Sequence, residues 1–330
     1  MSGADVASGV LPLTRLNPWY PGQMGVPGTD TETGLRLSAT GAIFYVDPNY
    51  PGASDQRDGT NPTDPLRTIQ AAVDRCESYR NDVIIVGMNA GYGDSPGTPY
   101  PIPIVESVLL NKHGVRLMGV SPSSFGVVWF PATAATFCLT VTGCDCAVEG
   151  FGFAAGMGGG DGIYGEWGGG AFGDNLTIRH CLFHGTVDTA IQLEFVWYAD
   201  IHHNAFWNCS EFGVFVNPMG SGIAYGRIHN NEFYTGAAMH ALDLQGATEC
   251  IISDNRLFNA DAAAGAASTD EGIVTTGGQA NMVCNNWLSC LLPVLPAGAP
   301  GDYDDFNTAS GTDAWVNNHL MDGDAITNPT

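Results

Sequence analysis

A frame of four positions recurs along the chain and constrains the fold more than any other feature. It starts at an aliphatic anchor, continues with a small or polar pair two and three residues later, and closes with a large apolar residue five residues later. The frame is clearest in ADIHHNAF, GRIHNNEF, CIISDNRLF and NMVCNNWL, and looser in LTIRHCLF and CAVEGFGF. Eight anchors follow one another at 23 to 32 residues: Ile85, Leu117, Val148, Ile178, Ile201, Ile228, Ile252 and Val283. Such a period with β-rich units is typical of a β-solenoid.

The position two residues after each anchor predicts a tight bend. It holds Gly, His, Asn or Asp, the residue types that best tolerate a left-handed backbone. The following position holds asparagine in the last four copies, at Asn204, Asn231, Asn255 and Asn286. Stacked asparagines can hydrogen-bond along the stack, which predicts a structural bend ladder. We interpret His203 as a bend residue, with a metal or catalytic role as the alternative.

A second strand follows each bend after eight to ten residues. DTAIQLEF, FGVFVNP and HALDLQG alternate apolar and polar residues with the period of two that strands require. Stacking of such units puts each strand beside its own copies. The sequence therefore predicts parallel sheets around a narrow apolar column.

The segment that precedes the coils resembles a known family. FYVDPNYPGASDQRDGTNPTDPLRTIQAAVDRC, residues 44–76, is similar to the start of right-handed parallel β-helix proteins of the pectate-lyase-like superfamily. Residues 66–79 have helical spacing, and Asp64 before Pro65 is a plausible helix start. The resemblance extends to about residue 290. It implies an all-β, right-handed parallel β-helix of about eight coils with an N-terminal capping helix.

These features divide the chain into four parts. Residues 1–40 match no coil and are expected to be an extended N-terminal anchoring tail. Residues 41–82 hold the initial strand, loop and capping helix, and 83–290 hold the coils. Residues 291–330 are expected to close the solenoid or to serve assembly. The glycine-rich segment 156–174 lacks the context of a phosphate loop and is expected to be a loop off the third coil.

Charge and cysteine content exclude several classes of partner. The chain has 34 acidic and 11 basic residues, a net charge of −23, which should repel nucleic acids and anionic membranes. No apolar run is long enough to insert in a membrane, and the N-terminus lacks the pattern of a signal peptide, so synthesis in the cytoplasm is expected. The nine cysteines fit no zinc pattern and are interpreted as small buried hydrophobes. No metal or cofactor is predicted, with Ca²⁺ at DYDD, residues 302–305, as the alternative.

The outward strand positions supply the candidate site residues. Glu194 and Asp243 are expected on one face two coils apart, about 10 Å from each other given the spacing of strands. That separation lies near the wide limit for an inverting pair of carboxylates. Arg179 is the candidate base of a lyase. The candidates for stacking on sugars are the aromatic residues Trp197, Tyr198 and Trp207. The alternative is an outward face that is only polar.

Two hypotheses on function follow. The first is a structural virion component, such as a spike, fibre or decoration protein, located on the virion surface. It would be a homotrimer that docks to other virion proteins through residues 1–40 and presents the β-helix for attachment or binding to cell-surface polysaccharide. The second is a polysaccharide lyase or glycoside hydrolase that acts on an outward face. The resemblance implies the fold and leaves this choice open, because the superfamily contains both classes.

Overall fold

The computed structural model describes the solenoid and the segment that caps its N-terminal end. It describes residues 41–87, 103–120, 127–133, 136–154, 160–166, 175–184, 189–207, 209, 212–216, 222–235, 240–259, 272–275, 277–290, 306–307 and 312–320. The predicted anchoring tail at 1–40 and the DYDD run at 302–305 lie outside these residues. None of the helices in the described segments is long and apolar enough to span a membrane.

The elements of the described residues are short strands and one helix. In chain order they are β1 (Ile43–Val46), α1 (Ile69–Arg75), β2 (Val83–Gly87), β3 (Ile104–Val105), β4 (Val108–Leu110), β5 (Arg116–Val120), β6 (Val127–Phe130), β7 (Phe137–Val141), β8 (Ala147–Glu149), β9 (Phe151–Ala154), β10 (Asp161–Glu166), β11 (Thr177–Arg179), β12 (Leu182–His184), β13 (Thr189–Glu194), β14 (Asp200–His202), β15 (Ala205–Trp207), β16 (Phe212–Val216), β17 (Arg227–His229), β18 (Glu232–Thr235), β19 (His240–Asp243), β20 (Ile251–Ser253), β21 (Arg256–Asn259), β22 (Ile273–Val274), β23 (Met282–Cys284), β24 (Trp287–Cys290), β25 (Phe306–Asn307), β26 (Ala314–Val316) and β27 (His319–Leu320).

The strands form three parallel sheets that the chain visits in turn. Among the described residues, the first sheet has ten strands in the order β1-β2-β5-β8-β11-β14-β17-β20-β23-β26. The second sheet has nine, from β3 to β27, and the third has eight, from β4 to β25. The described part of each sheet has eight to ten strands, which is close to the predicted number of about eight coils. The predicted all-β parallel β-helix is confirmed.

The inward side chains form an apolar column along the solenoid. Phe153, Phe183, Phe206 and Phe233 stack inside the second sheet with ring centroids 5.0, 4.9 and 4.4 Å apart. All four rings are fully buried. Stacked rings on successive coils remove large apolar areas from water, so this column stabilises the register of the coils.

The repeat frame fixes the register of the first sheet, with one correction. Leu117, Val148 and Ile178 are aligned residue by residue on adjacent strands, and the alignment continues through the later anchors. The residue aligned with Leu117 on β2 is Ile84, however, and not the predicted anchor Ile85. Ile84 is fully buried. The run VIIVG contains two adjacent isoleucines, Ile84 and Ile85, so the sequence does not show which of them points inward.

The predicted bend adopts the left-handed conformation over most of the solenoid. His180, His203, Asn230, Asp254 and Asn285 have φ between 53° and 57°. Gly150 also has a positive φ, of 78°. The first two copies differ, because Gly87 and Gly119 lie within strands β2 and β5 and are not among the residues of positive φ. The role of His203 as a bend residue is consistent with its φ of 55°.

A ladder of buried asparagines follows this bend. Each side-chain oxygen accepts a hydrogen bond from the backbone N–H of the equivalent residue on the preceding coil, at 3.0 to 3.1 Å. Each side-chain nitrogen donates to a carbonyl of the preceding coil, at 2.9 to 3.0 Å. The ladder runs through Asn204, Asn231, Asn255, Asn286 and Asn318. It satisfies bend amides that no strand partner can reach.

Cysteines occupy equivalent ladder positions where asparagine is missing. The sulfur of Cys250 accepts a hydrogen bond from the Gly226 N–H at 3.4 Å and lies 3.8 Å from the Ile223 carbonyl, in the pattern of an asparagine amide. The backbone N–H of Cys250 in turn donates to Asn281, which belongs to a second ladder at the turn from the third sheet to the first. Burial raises the pKa of the Cys250 thiol to about 11. Among the described residues eight cysteines are free thiols, most of them buried, so they act as small core residues with a weak hydrogen-bonding function.

Helix α1 caps the N-terminal end of the column but starts later than predicted. Its N-cap is Thr68 and not Asp64, and the Thr68 hydroxyl accepts from the N–H of Ala71. The first free amides of the helix, at Ile69 and Gln70, donate to the carboxylate of Glu106 at 3.0 and 2.8 Å. This carboxylate comes from the first coil, so a tertiary contact fixes the helix start. Local sequence cannot reveal such a contact.

The coils continue beyond the predicted boundary at residue 290. Strands β25, β26 and β27 pair in parallel with the last strands of all three sheets. The described residues of 291–330 therefore extend the solenoid. Within the glycine-rich segment 156–174, residues 161–166 form strand β10 of the third sheet, and Ile163 lies in the core. The remainder of that segment lies outside the described residues, apart from Gly160.

Candidate functional site

The outer face of the third sheet holds two of the candidate residues. Tyr164, Gln192, Phe215 and Asp243 stand in one outward row on successive coils, because their strands pair in this register. Glu194 lies two residues beyond Gln192, towards the turn to the first sheet. We call Tyr164, Glu166, Gln192, Glu194 and Phe215 the third-sheet face. These five side chains are neither fully buried nor fully exposed.

A close pair of glutamates lies at the edge of this face. Glu166 on β10 and Glu194 on β13 are directly paired in the parallel register. The hydroxyl of Tyr164 donates to Oε2 of Glu194 at 2.6 Å. Burial and the two carboxylates raise the pKa of Tyr164 far above its ordinary value, so the hydroxyl keeps its proton at neutral pH. Tyr164 therefore acts as a fixed hydrogen-bond donor, and its ring is stacked on Phe137 at 5.0 Å.

Glu194 and Asp243 both lie on the outer side of the third sheet but are not neighbours. The register places them two coils and two residues apart, which corresponds to about 12 Å between Cα atoms. Asp243 is only 5% exposed, and its Oδ2 accepts from Nε2 of Gln245 at 3.1 Å. Glu166 is the closer carboxylate and was not a candidate from the sequence. The signal was present, since Glu166 and Glu194 each follow a buried isoleucine by three residues.

Arg179 lies on a different face and is engaged in a buried ion network. Its Nε donates to Oε2 of Glu149 at 2.7 Å, and Arg116 binds the other oxygen of the same carboxylate at 2.7 Å. Arg179 is only 7% exposed. It belongs to the outer side of the first sheet, whereas Glu194 and Asp243 belong to the third. The three candidate catalytic residues are therefore not brought together.

Histidines continue the outer row of the first sheet beside this network. His202 is 5% exposed, its Nδ1 lies 2.8 Å from Nδ1 of His203, and its ring stacks on His229 at 5.0 Å. Burial lowers the pKa of His202 to about 4. Burial opposes ionisation of Asp200, but the hydrogen bond from His229 and the charges of His202 and Arg227 outweigh it and hold the pKa of Asp200 below its ordinary value.

The candidate aromatic residues also lie at two different places on the solenoid. Trp197 and Tyr198 lie at the turn from the third sheet to the first, where Tyr198 has φ 57° and stacks on Tyr225 at 5.3 Å. Trp207 lies on the outer side of the second sheet. It is 40% exposed, and Tyr234 and Phe258 occupy the same row on the next two coils. Within the described segments no group of three or more His, Cys, Asp or Glu side chains has a geometry that could hold a metal ion.

Comparisons with known proteins identify the architecture. The family described as right handed beta helix region matches residues 134–288, about five turns of the solenoid. No curated protein matches the sequence. Three solved structures illustrate the likeness. The enzymatically active domain of tailspike protein 2 from bacteriophage CBA120 is 16% identical with a TM-score of 0.38, over 88% of this chain and 49% of that one. The full-length tailspike protein 2 is 14% identical with a TM-score of 0.37, over 88% and 45%. A GH136 lacto-N-biosidase from Eubacterium ramulus is 10% identical with a TM-score of 0.26, over 83% and 68%.

The chain spans about half the length of the tailspike structures it matches. The family match covers the centre of the solenoid, and parallel strands in the same three sheets extend on both sides of it. The protein is therefore a right-handed parallel β-helix protein.

Proposed function

We propose that the protein is a glycan-binding component of a virus-particle surface and that the third-sheet face binds the glycan. The observation that carries the proposal is the outward row on this face, where an aromatic ring, an amide and a second ring follow one another at Tyr164, Gln192 and Phe215. Rings offer apolar stacking surfaces and amides exchange hydrogen bonds with hydroxyls, which are the two contacts that a sugar requires.

Binding to purified bacterial surface polysaccharides by isothermal titration calorimetry tests this proposal. Gln192→Ala and Phe215→Ala are expected to weaken binding at least tenfold each. Ile251→Ala is the matched control, because Ile251 is 42% exposed on the outer side of the first sheet. Equal affinity of all three variants and the original chain would contradict the assignment of the site.

The assembly part of the proposal concerns residues 1–40 and the oligomeric state. A homotrimer docked to other virion proteins through this tail would present three solenoids at the particle surface. Light scattering on the full chain and on residues 41–330 tests it. A trimer that becomes a monomer on truncation is the expected result, and a monomer in both cases would refute self-assembly through the tail.

Hydrolysis of the bound glycan is a second candidate function, which the pairing of Glu166 with Glu194 favours. Cα atoms of directly paired residues lie about 4.8 Å apart, so the two carboxylates are close enough for the short separation of a retaining glycosidase. Glu194, which the Tyr164 hydroxyl orients, would be the nucleophile, and Glu166 would be the proton donor. The carboxylate of Glu194 would displace the leaving sugar, whose oxygen takes the Glu166 proton. Water, whose proton returns to Glu166, would then attack the glycosyl carbon, break its bond to Glu194 and release the sugar and the Glu194 carboxylate.

Release of reducing ends from polysaccharide tests the hydrolytic candidate. Glu194→Gln and Glu166→Gln are expected to lower turnover by at least a thousandfold while binding persists. Asp243→Asn is the control, because Asp243 lies about 12 Å from Glu194 and about 16 Å from Glu166 between Cα atoms. Binding without release of reducing ends from any polysaccharide that binds would leave the protein as a binding component and refute the hydrolase.

A further inference from the structure

An aromatic row lies on the outer side of the second sheet, on a different face from the proposed site. His184, Trp207, Tyr234 and Phe258 are paired in register on four successive coils. Their ring centroids follow at 6.2, 5.8 and 4.9 Å. Trp287 stands on the next coil, two residues earlier along its strand, and is 44% exposed. We call Trp207, Tyr234, Phe258 and Trp287 the aromatic strip.

The strip has no part in the core. The inward neighbours Phe206, Phe233 and Leu257 on the same strands are fully buried and form the apolar column. Outward positions of a solenoid tolerate any residue that keeps the strand, and polar residues are the usual choice. Large rings on four coils in succession add exposed apolar area that the fold does not require. Apolar residues scattered singly over a surface need no explanation, whereas rings that recur in register on four successive coils point to a ligand that stacks on them.

The strip is also free of net charge in a strongly acidic chain. Within the described strands of the second sheet, Glu232 and Arg256 carry the formal charges beside the strip, and they lie on adjacent coils with Arg256 Nη1 3.4 Å from Glu232 Oε1. Their formal charges cancel, whereas the whole chain carries −23. An anionic ligand would meet the repulsive field of the chain without a compensating cation on the strip. The strip therefore favours an uncharged ligand.

The size of the strip selects a narrow ligand over a second copy of the chain. Four coils at a spacing of about 4.8 Å and a strand width of about 10 Å give roughly 200 Å². A stable protein interface needs about 800 Å² on each partner. A linear sugar chain along the solenoid axis matches the shape, because consecutive pyranose rings have dimensions similar to the coil spacing. The planes of Trp207 and Tyr234 cross at 81° and those of Tyr234 and Phe258 at 19°. Each sugar would then contact one ring of the strip, some rings by the face and others by the edge.

We propose that the aromatic strip is a second glycan-binding site, which takes an uncharged linear glycan lying parallel to the solenoid axis. The site goes beyond the proposed function, because it uses another face and needs neither glutamate of the third-sheet face. It holds a polymer through several weak contacts at once, so affinity should rise with glycan length until four coils are covered.

Titrations of the full chain with oligosaccharides of defined length test this proposal. The probes are cellohexaose and laminarihexaose as neutral chains and an oligogalacturonate of the same length as the acidic one, measured by calorimetry and by tryptophan fluorescence. We expect at least one neutral hexaose to bind, with affinity at least tenfold above its trisaccharide and with little dependence on salt. Trp207→Ala and Tyr234→Ala should each weaken this binding at least tenfold, and Ile251→Ala should not. Circular dichroism of each variant checks that the fold is retained.

The outcomes separate the two sites. Loss of neutral-glycan binding in Trp207→Ala but not in Phe215→Ala supports the strip even where the third-sheet face binds nothing. Loss in Phe215→Ala alone overturns the strip and leaves the proposed function intact. Binding of neither neutral hexaose, or tighter binding of the oligogalacturonate, also overturns the strip. A fall in solution mass caused by Trp207→Ala in light scattering would identify a second copy of the chain as the occupant and overturn the glycan.

Discussion

Replacement of Asn231 by alanine measures how strongly the asparagine ladder stabilises the solenoid. The Asn231 side chain is fully buried and accepts from both nitrogens of Asn204 at 3.0 and 3.1 Å. It donates to the Ile201 carbonyl at 2.9 Å and to Asn255 at 3.0 Å. In Asn231→Ala the Asn204 N–H and the Ile201 carbonyl lose these partners in a site closed to water. Each buried group left unsatisfied costs about 1–3 kcal/mol, so we expect the free energy of unfolding to fall by about 2–6 kcal/mol.

Urea unfolding followed by circular dichroism gives the change in the free energy of unfolding. Stacked coils can open separately, so amide hydrogen exchange at Asn204 is measured alongside it. The matched control is Asn285→Gly, because Asn285 is exposed, lies beside the ladder and has φ 56°, which glycine adopts freely. The control should change the free energy of unfolding by no more than about 0.5 kcal/mol. A loss below about 1 kcal/mol in Asn231→Ala, or unchanged protection of the Asn204 amide, would refute the role given to the ladder.

Three further predictions concern buried polar groups. Asp313 ends the second ladder, because its Oδ1 accepts from Asn281 at 2.9 Å and its Oδ2 is buried without a hydrogen-bond partner in the described structure. In Asp313→Asn the charge is lost and the new amide nitrogen can donate to a carbonyl of the preceding coil, as that of Asn281 donates to Ala247, so the free energy of unfolding should rise by about 1 kcal/mol in urea titrations. Thr275 is fully buried and its hydroxyl has no partner among the described residues, so Thr275→Val should leave stability unchanged or raise it by up to about 1 kcal/mol, and a loss above that in the same titration would reveal a hidden partner. The pKa of His202 is about 4 in the folded chain, below the ordinary value of about 6.5, so the unfolded chain binds the proton first. The free energy of unfolding is therefore highest with respect to this group above about pH 6.5. It falls by about 3 kcal/mol as the pH drops from about 6.5 to about 4, because the unfolded chain is protonated first. His202→Gln should flatten this part of the stability profile, and parallel profiles for both proteins would contradict the assignment.

The fold could be predicted from the sequence because one turn of a solenoid repeats the same physical requirements. A residue such as Asn204 must satisfy a bend amide, and its equivalents on later coils must do the same, so the pattern appears in the sequence as a period. The prediction fails where the period is ambiguous or where a partner is distant. Ile84 and Ile85 are chemically identical, and the helix start at Thr68 depends on tertiary contacts that include Glu106.

The candidate site was harder to predict because outward positions are not tied to the period. The sequence identified Glu194 as a single outward acid. Its proposed role in hydrolysis depends on Glu166, which is 28 residues away in sequence and directly paired with it in the structure. Arg179 has the chemistry of a catalytic base, yet the pairing of strands places Glu149 beside it. Which outward residues meet across coils follows from loop lengths between strands, and these vary freely in a solenoid.

The inner and outer rows of the sheets also differ in what determines their residues. Along the first sheet the inner row contains only large apolar residues from Ile84 to Trp315, because the column must be filled on every coil. The outer row of the same sheet changes from Glu149 through Arg179 and His202 to Cys284, so folding does not dictate it. In a chain of net charge −23, outward positions left to solubility alone would favour carboxylates. A row of rings without net charge on the second sheet departs from that expectation, and a ligand that stacks on rings accounts for the departure.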